Sequence, residues 1–160
     1  MKRIVLLRHA KSSWEWDLAD IDRPLTPKGI ERITQMSRLA TNPFQEMEAV
    51  FSSPANRAIH TAILMMRNAG ISLEKLQIFP DLYTFSVTEL MACIHRIPAS
   101  FKQIVLVGHN PAFTEAVNSL STSDLDHLPT AAWAEITFPD VDWDKVKNGT
   151  LRLGHPKNIL

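Results

Sequence analysis

The sequence predicts an α/β fold, on three observations. Short strand-like runs recur at residues 4–7, 49–52 and 104–107. Between them lie stretches with apolar residues at three- and four-residue spacing, and Pro, Asn, Ser and Gly collect at the junctions. Strand-length runs alternating with helical patterns build a layered structure in which helices cover a sheet. One domain is expected over residues 1–160, long enough to bury about two thirds of the surface its unfolded chain exposes.

Taken in order, Ile4-Val5-Leu6-Leu7 forms the first strand and ends at Arg8-His9. A polar, Trp-containing stretch follows, then Pro24-Leu25-Thr26-Pro27, in which Thr26 caps a helix and Pro27 takes its first position. Ile30, Ile33 and Met36 make that helix's inner face, and Asn42-Pro43 ends it. Residues 49–52 give a second strand running into Ser53-Pro54. The next helix presents Ala58, Ile59, Ala62, Ile63 and Met66, with Gly70 just past its end.

Residues 76–79 make a short third strand, and Ser86-Val87-Thr88-Glu89 has the form of a capping box. The helix it opens turns Leu90, Met91, Ile94 and Ile97 inward. Residues 104–107 are the best strand of the chain, and Asn110-Pro111 supplies a cap and first position for another helix. Residues 133–138 alternate apolar and polar, as an edge strand facing water does, and residues 151–153 close the sheet as an antiparallel strand. The tail is expected to belong to the domain.

With 17 Lys+Arg against 17 Asp+Glu the chain carries no net charge, which disfavours a nucleic-acid or polyanion binder. Any positive field must be local. One cysteine excludes an intrachain disulfide, and only four apolar residues separate Lys2-Arg3 from Arg8, too few for a signal or a membrane span. A soluble, reducing, cytoplasmic setting is expected.

Four segments at strand ends or helix starts carry candidate chemistry: Arg8-His9, Asp22-Arg23-Pro24-Leu25, Ser52-Ser53-Pro54 with Arg57, and Gly108-His109-Asn110-Pro111. Ligands bind at the C-terminal edge of parallel strands. Arg57 falls in the first turn of a helix, where free N–H groups and the dipole already favour an anion. His109 follows its strand in the same way as His9, with Gly108 allowing a sharp turn. Two imidazoles and several guanidiniums at such positions suit phosphoryl transfer: a neutral imidazole attacks phosphorus and cationic donors stabilise the oxygens.

These segments resemble those of the histidine phosphatase (phosphoglycerate mutase-like) superfamily, in particular its small bacterial phosphohistidine phosphatases of the SixA type. Arg8-His9 is similar to the family's Arg-His-Gly motif. Ser53-Pro54 with Arg57, Thr61 and Ala62 resembles its second arginine motif, Gly108-His109 its second histidine, and Arg23-Pro24-Leu25-Thr26 with Gly29 a segment of the SixA-like branch. The resemblance implies a three-layer α/β/α domain with a mostly parallel sheet. It implies that His9 is the nucleophile, transiently phosphorylated, and that Arg8, Arg57 and His109, with Arg23, surround the phosphoryl group. It requires no metal and no cofactor. His9 must then be unprotonated at the attacking nitrogen, arranged by a carbonyl or carboxylate on the other.

Two positions depart from the family pattern. Ala10 stands where glycine is usual and demands a negative φ. The region 80–83 offers no clear proton-donating acid; Asp81 and Glu89 are the nearby candidates, and Glu89 is already explained as the capping partner of Ser86. An alkoxide leaving group needs such an acid, whereas a phosphorylated imidazole leaves after protonation near neutral pH. Phosphohistidine is therefore the expected substrate, on a protein such as a histidine-containing phosphotransfer domain, with phosphate ion as product. The alternatives are a small-molecule phosphomonoesterase and a non-catalytic phospho-ligand binding module. With no long insertion to cover it, the site is expected to be open.

The remaining candidates read as structural. His60, His95, His127 and His155 show no ligand spacing, and no zinc-hydrolase motif occurs. Cys93 lies in a helical pattern as a small core residue. Lys11, Ser12 and Ser13 either help bind phosphate or form a simple loop, and Trp14 and Trp16 either shape the pocket mouth or pack.

Overall fold

The computed structural model describes residues 1–39 and 41–155. Its elements are β1 (Lys2–Arg8), α1 (Pro27–Arg38), β2 (Ala49–Ser52), α2 (Asn56–Ala69), β3 (Leu76–Ile78), α3 (Val87–His95), β4 (Gln103–Gly108), α4 (Ala112–Ser121), β5 (Trp133–Phe138) and β6 (Thr150–Gly154). The sheet order is β3-β2-β4-β1-β5-β6. The first four strands in that order pair in parallel, and β5 and β6 join antiparallel. The tail beyond residue 155 lies outside the described residues.

Each central strand splits its side chains between two cores, as the two-residue period requires. From β1, Ile4 and Leu6 join Leu90 and Ile94 of α3 and Phe113 and Val117 of α4. Val5 and Leu7 join Ile33 and Met36 of α1 and Ala58 and Met65 of α2 on the other face. Helices thus cover both sides, giving the expected three-layer α/β/α arrangement. This double burial is why β1 and β4 read as uninterrupted apolar runs.

The caps follow the sequence closely. Thr26 Oγ1 accepts from the Gly29 N–H at 2.9 Å with Pro27 at the first position. After α1, Asn42 Nδ2 donates to the carbonyls of Ser37 and Leu39, the latter also accepting from the Asn42 N–H at 3.2 Å, so acceptors left over at the helix end are satisfied. Gly70 closes α2 with φ 76°, a left-handed conformation that glycine adopts without strain.

Several local expectations are corrected. Strand β5 is interior, between β1 and β6. Its polar position Glu135 is buried and paired with Arg3 at 2.8 Å and Arg152 at 2.9 Å from the flanking strands, so a buried ion pair imitated a water-facing residue. On α2 the buried stripe is Arg57, Ala58, Thr61, Ala62, Met65 and Met66, leaving Ile59 and Ile63 half-buried. The helix turns Arg57 and Thr61 inward because both are bonded there. Helix α4 starts at Ala112, after a cis Asn110–Pro111 bond; Asn110 Oδ1 still accepts from the Thr114 N–H at 3.1 Å. Gly108 closes β4 without a positive φ, and a Cβ there would lie 2.8 Å from the Phe113 ring, so close packing is what it serves. Strand β3 stops at Ile78, and Phe79 stacks on Phe51.

Candidate active site

The register of the sheet builds the site. Arg8 and Gly108 are paired at the ends of β1 and β4, and the His9 N–H donates to the Gly108 carbonyl at 3.1 Å. The two residues that follow these ends, His9 and His109, therefore sit side by side, ring centres 5.2 Å apart. Strand β2 ends at Ser52 beside β4, and Ser53 and the first turn of α2 bring a hydroxyl and Arg57 to the same edge.

His9 Nδ1 lies 2.7 Å from the carbonyl oxygen of Ala10. A carbonyl only accepts, so Nδ1 carries the proton and Nε2 keeps its lone pair. This supplies the orienting carbonyl that nucleophilic use of His9 requires. Ala10 itself is buried, outside the left-handed region, and donates its N–H to Thr61 Oγ1 at 2.9 Å. Arg57, 2 % exposed, places Nε 3.3 Å from His9 Nε2 and Nη2 3.4 Å from His109 Nδ1. His109 Nε2 is 2.7 Å from Ser53 Oγ, which also accepts from the Ala55 N–H at 3.2 Å. A guanidinium only donates, so His109 Nδ1 accepts from Arg57 Nη2 and the His109 proton sits on Nε2, which donates it to Ser53 Oγ.

Burial holds the pKa of both histidines down to about 3. For His9 the Ala10 carbonyl opposes this, while His109, Arg57 and Arg8 reinforce it; for His109, Arg57 is the main reinforcing charge and Asp20 opposes. Both rings are neutral at pH 7. Arg8 Nη1 donates to the Leu128 carbonyl at 3.0 Å and sits 3.2 Å from His127 Nε2, while its Nε is buried without a partner among the described residues. A buried N–H of this kind is a donor available to an anion oxygen in the adjoining cavity.

That cavity, about 390 Å³, is lined by Arg8, His9, Arg57 and His109, together with Arg23, Asp20, Lys11, Ser12, Trp14, Phe85, Asn110 and Thr130. Arg23 is buried, donating to Ser12 Oγ at 2.7 Å and to Asp20 at 3.2 Å, with its guanidinium 3.6 Å above the Trp14 ring. The geometry thus gathers all five residues singled out from sequence, and it puts Trp14 at the pocket mouth, 78 % exposed.

Asp20 was missed by sequence reasoning. Asp22 is the acid next to Arg23 in sequence, but the three-residue offset of Asp20 in a short 3-10 turn is what reaches it. Burial alone would raise the Asp20 pKa; hydrogen bonds from Tyr83 and Arg57 outweigh it and bring the group to about 2. Tyr83 and Phe85 were also missed: both rings meet His109 edge-on at 5.5 Å, with no signal in a loop of mixed composition. Asp81 instead pairs with Arg96 on the surface, and Glu89 accepts from Thr84, with Thr84 and not Glu89 serving the Ser86 N–H. Neither lines the cavity. His127 is exposed as expected, yet it touches Arg8. Cys93 is buried in the core, and burial raises its thiol pKa.

The sequence model of the Histidine phosphatase superfamily (branch 1) matches residues 4–88. This chain belongs to that superfamily. A curated relative in sequence, an uncharacterized chloroplastic protein of Arabidopsis thaliana, is 26% identical over 133 residues, covering 78% of this chain; the match spans only 61% of the relative's length. Among solved structures, the protein histidine phosphatase SixA complexed with tungstate superposes with a TM-score of 0.80 at 21% identity, covering 97% of each chain. The mycobacterial glucosyl-3-phosphoglycerate phosphatase superposes at 0.71 with 14% identity, covering 97% of this chain and 98% of its own. At these identities the two structures establish the phosphoglycerate mutase-like fold that members of the superfamily share. No helix among the described residues is long and apolar enough to cross a membrane.

Proposed function

We propose that this chain is a phosphatase that removes the phosphoryl group of phosphohistidine on a protein, through a phosphorylated His9. The observation that carries the reading is the Ala10 carbonyl on His9 Nδ1, which fixes a lone pair on Nε2 beside Arg57 and His109. The low pKa of His9 keeps that lone pair available across the neutral range. Attack forms a bond between Nε2 and phosphorus and breaks the bond from phosphorus to the donor imidazole, which leaves with the electron pair and takes a proton. Water then attacks phospho-His9, releasing inorganic phosphate and restoring the imidazole. Arg8, Arg23 and Arg57 stabilise the phosphoryl oxygens, and His109 lines the same site. These residues supply the charge without a metal ion or cofactor.

The leaving group is argued from the carboxylates. Among the described residues Asp20 is the one acid lining the cavity, and its pKa of about 2 leaves it ionised and unable to donate a proton. A substrate whose leaving group takes its own proton near neutral pH suits such a site, and a cytoplasmic phosphotransfer domain is a donor of this chemistry. The test is phosphate release from a phosphohistidine-bearing protein and from a sugar phosphate, without added metal, by the wild type and His9→Ala. Selective phosphohistidine turnover that the substitution abolishes is expected. Equal efficiency on the sugar phosphate would return the small-molecule reading, and tight phosphate binding without turnover would make the chain a binding module.

A further inference from the structure

We propose that Asp20 is a positioning residue that aims Arg57 and Arg23 at the phosphoryl group and withdraws one unit of positive charge from the pocket. The proposal rests on the reading of His9 as nucleophile. Its geometry is independent of that reading. Asp20 Oδ2 accepts from Arg57 Nη2 at 2.9 Å and from the Tyr83 hydroxyl at 2.6 Å; Oδ1 accepts from Arg23 Nε at 3.2 Å; and the Asp20 backbone carbonyl accepts from Arg57 Nη1 at 2.6 Å. Two arginines that stand 34 residues apart in the chain are thereby fastened to one carboxylate.

The consequence for Arg57 is directional. With Nη1 and Nη2 both held by Asp20, the guanidinium plane is fixed, and it is this orientation that presents Nε to His9 and the Nη2 edge to His109. A planar fork held at two points has little freedom left to lose when a phosphoryl group arrives. Tyr83 extends the fastening to the loop before α3, the same loop whose Phe85 ring meets His109. Asp20 therefore joins three separate walls of the cavity: the loop after β1, the first turn of α2, and the loop before α3.

The carboxylate also sets the pocket's charge. Arg8, Arg23 and Arg57 crowd a site in which both imidazoles are neutral, and Asp20 offsets one of the three. Alignment matters most in the transition state, whereas charge alone governs how tightly a resting phosphate is held. Removing the charge while keeping the shape must then pull the two quantities in opposite directions.

The experiment compares the wild type with Asp20→Asn and Asp20→Glu. It measures turnover of free phosphohistidine and, by calorimetry, binding of inorganic phosphate; thermal melts confirm that each variant is folded. Asp20→Asn is expected to lower kcat about 10- to 100-fold, the usual cost of misplacing a catalytic group, and to bind phosphate about threefold more tightly, as one added exposed charge allows. Asp20→Glu keeps the charge on a longer stem, so phosphate affinity returns to the wild-type value while kcat stays low. A kcat within twofold of wild type in Asp20→Asn, or kcat and phosphate affinity falling together, overturns the proposal. If wild-type turnover survives His9→Ala, the nucleophile reading fails, and the calorimetry still reports whether Asp20 tunes the clamp.

Discussion

The ends of β1 and β4 are near twins, and they are used differently. Each is a buried apolar strand that delivers a histidine one residue past its last pair, and the two ends are bonded to each other in register. His9 is held through Nδ1 by the carbonyl of its own neighbour Ala10, whereas His109 is held through Nε2 by Ser53, a residue of another strand end. Both rings turn a lone pair toward Arg57, His9 through Nε2 and His109 through Nδ1. A shared backbone device thus sets two neutral imidazoles against one guanidinium, and the difference lies in which ring nitrogen is tied back.

The sharpest way to test that asymmetry is to remove each ring's function in turn. His9→Ala is expected to abolish turnover, a loss of about 10⁴-fold or more, as when a covalent nucleophile is deleted; phosphate release measured over hours checks it. Arg57→Ala, which removes the guanidinium that faces both rings, should cost about 10²- to 10³-fold in kcat, the range for one donor to developing negative charge. Ser53→Ala frees the His109 tautomer without touching His9, so kcat should fall about tenfold or somewhat more with KM nearly unchanged, in line with supporting hydrogen bonds to functional histidines. An unchanged kcat there would mean that the serine does not set the His109 proton.

The pair also has a pH signature in stability. Each ring has a pKa of about 3 in the folded chain and about 6.5 when unfolded. Between these values the unfolded state binds more protons, so stability falls as pH drops from about 6.5 toward 3. Urea unfolding at a series of pH values should show this slope, and His9→Asn should flatten it by removing one of the two contributors. The smallest effect is expected farthest from the rings: Asp81→Asn and Glu89→Gln should each leave kcat within about twofold, the behaviour of surface substitutions away from the site.

What was legible in the sequence follows the same division between strand ends and loops. His9, Arg8 and His109 are announced by the apolar runs that precede them, and Arg57 by its place in the first turn of a helix. Arg23 was legible only through its resemblance to a family segment. Asp20, Tyr83 and Phe85 were not legible, because a loop residue's partner is set by three-dimensional folding and leaves no periodicity behind. The position of β5 was misread for a related reason: Glu135 shows its charge in the sequence, and the arginines that neutralise it come from strands 132 and 17 residues away.

The bond from the His9 amide to the Gly108 carbonyl closes a loop of about one hundred residues. Ala131, arriving later still, donates to the carbonyls of Arg8 and His9. Contacts of such long sequence separation form late and together, after most chain entropy has been surrendered. Under the proposed mechanism, hydrolytic competence accordingly depends on the finished sheet. The return of activity during refolding would serve as a clock for the docking of β1 against β4, reporting in one signal what spectroscopy averages over the whole chain.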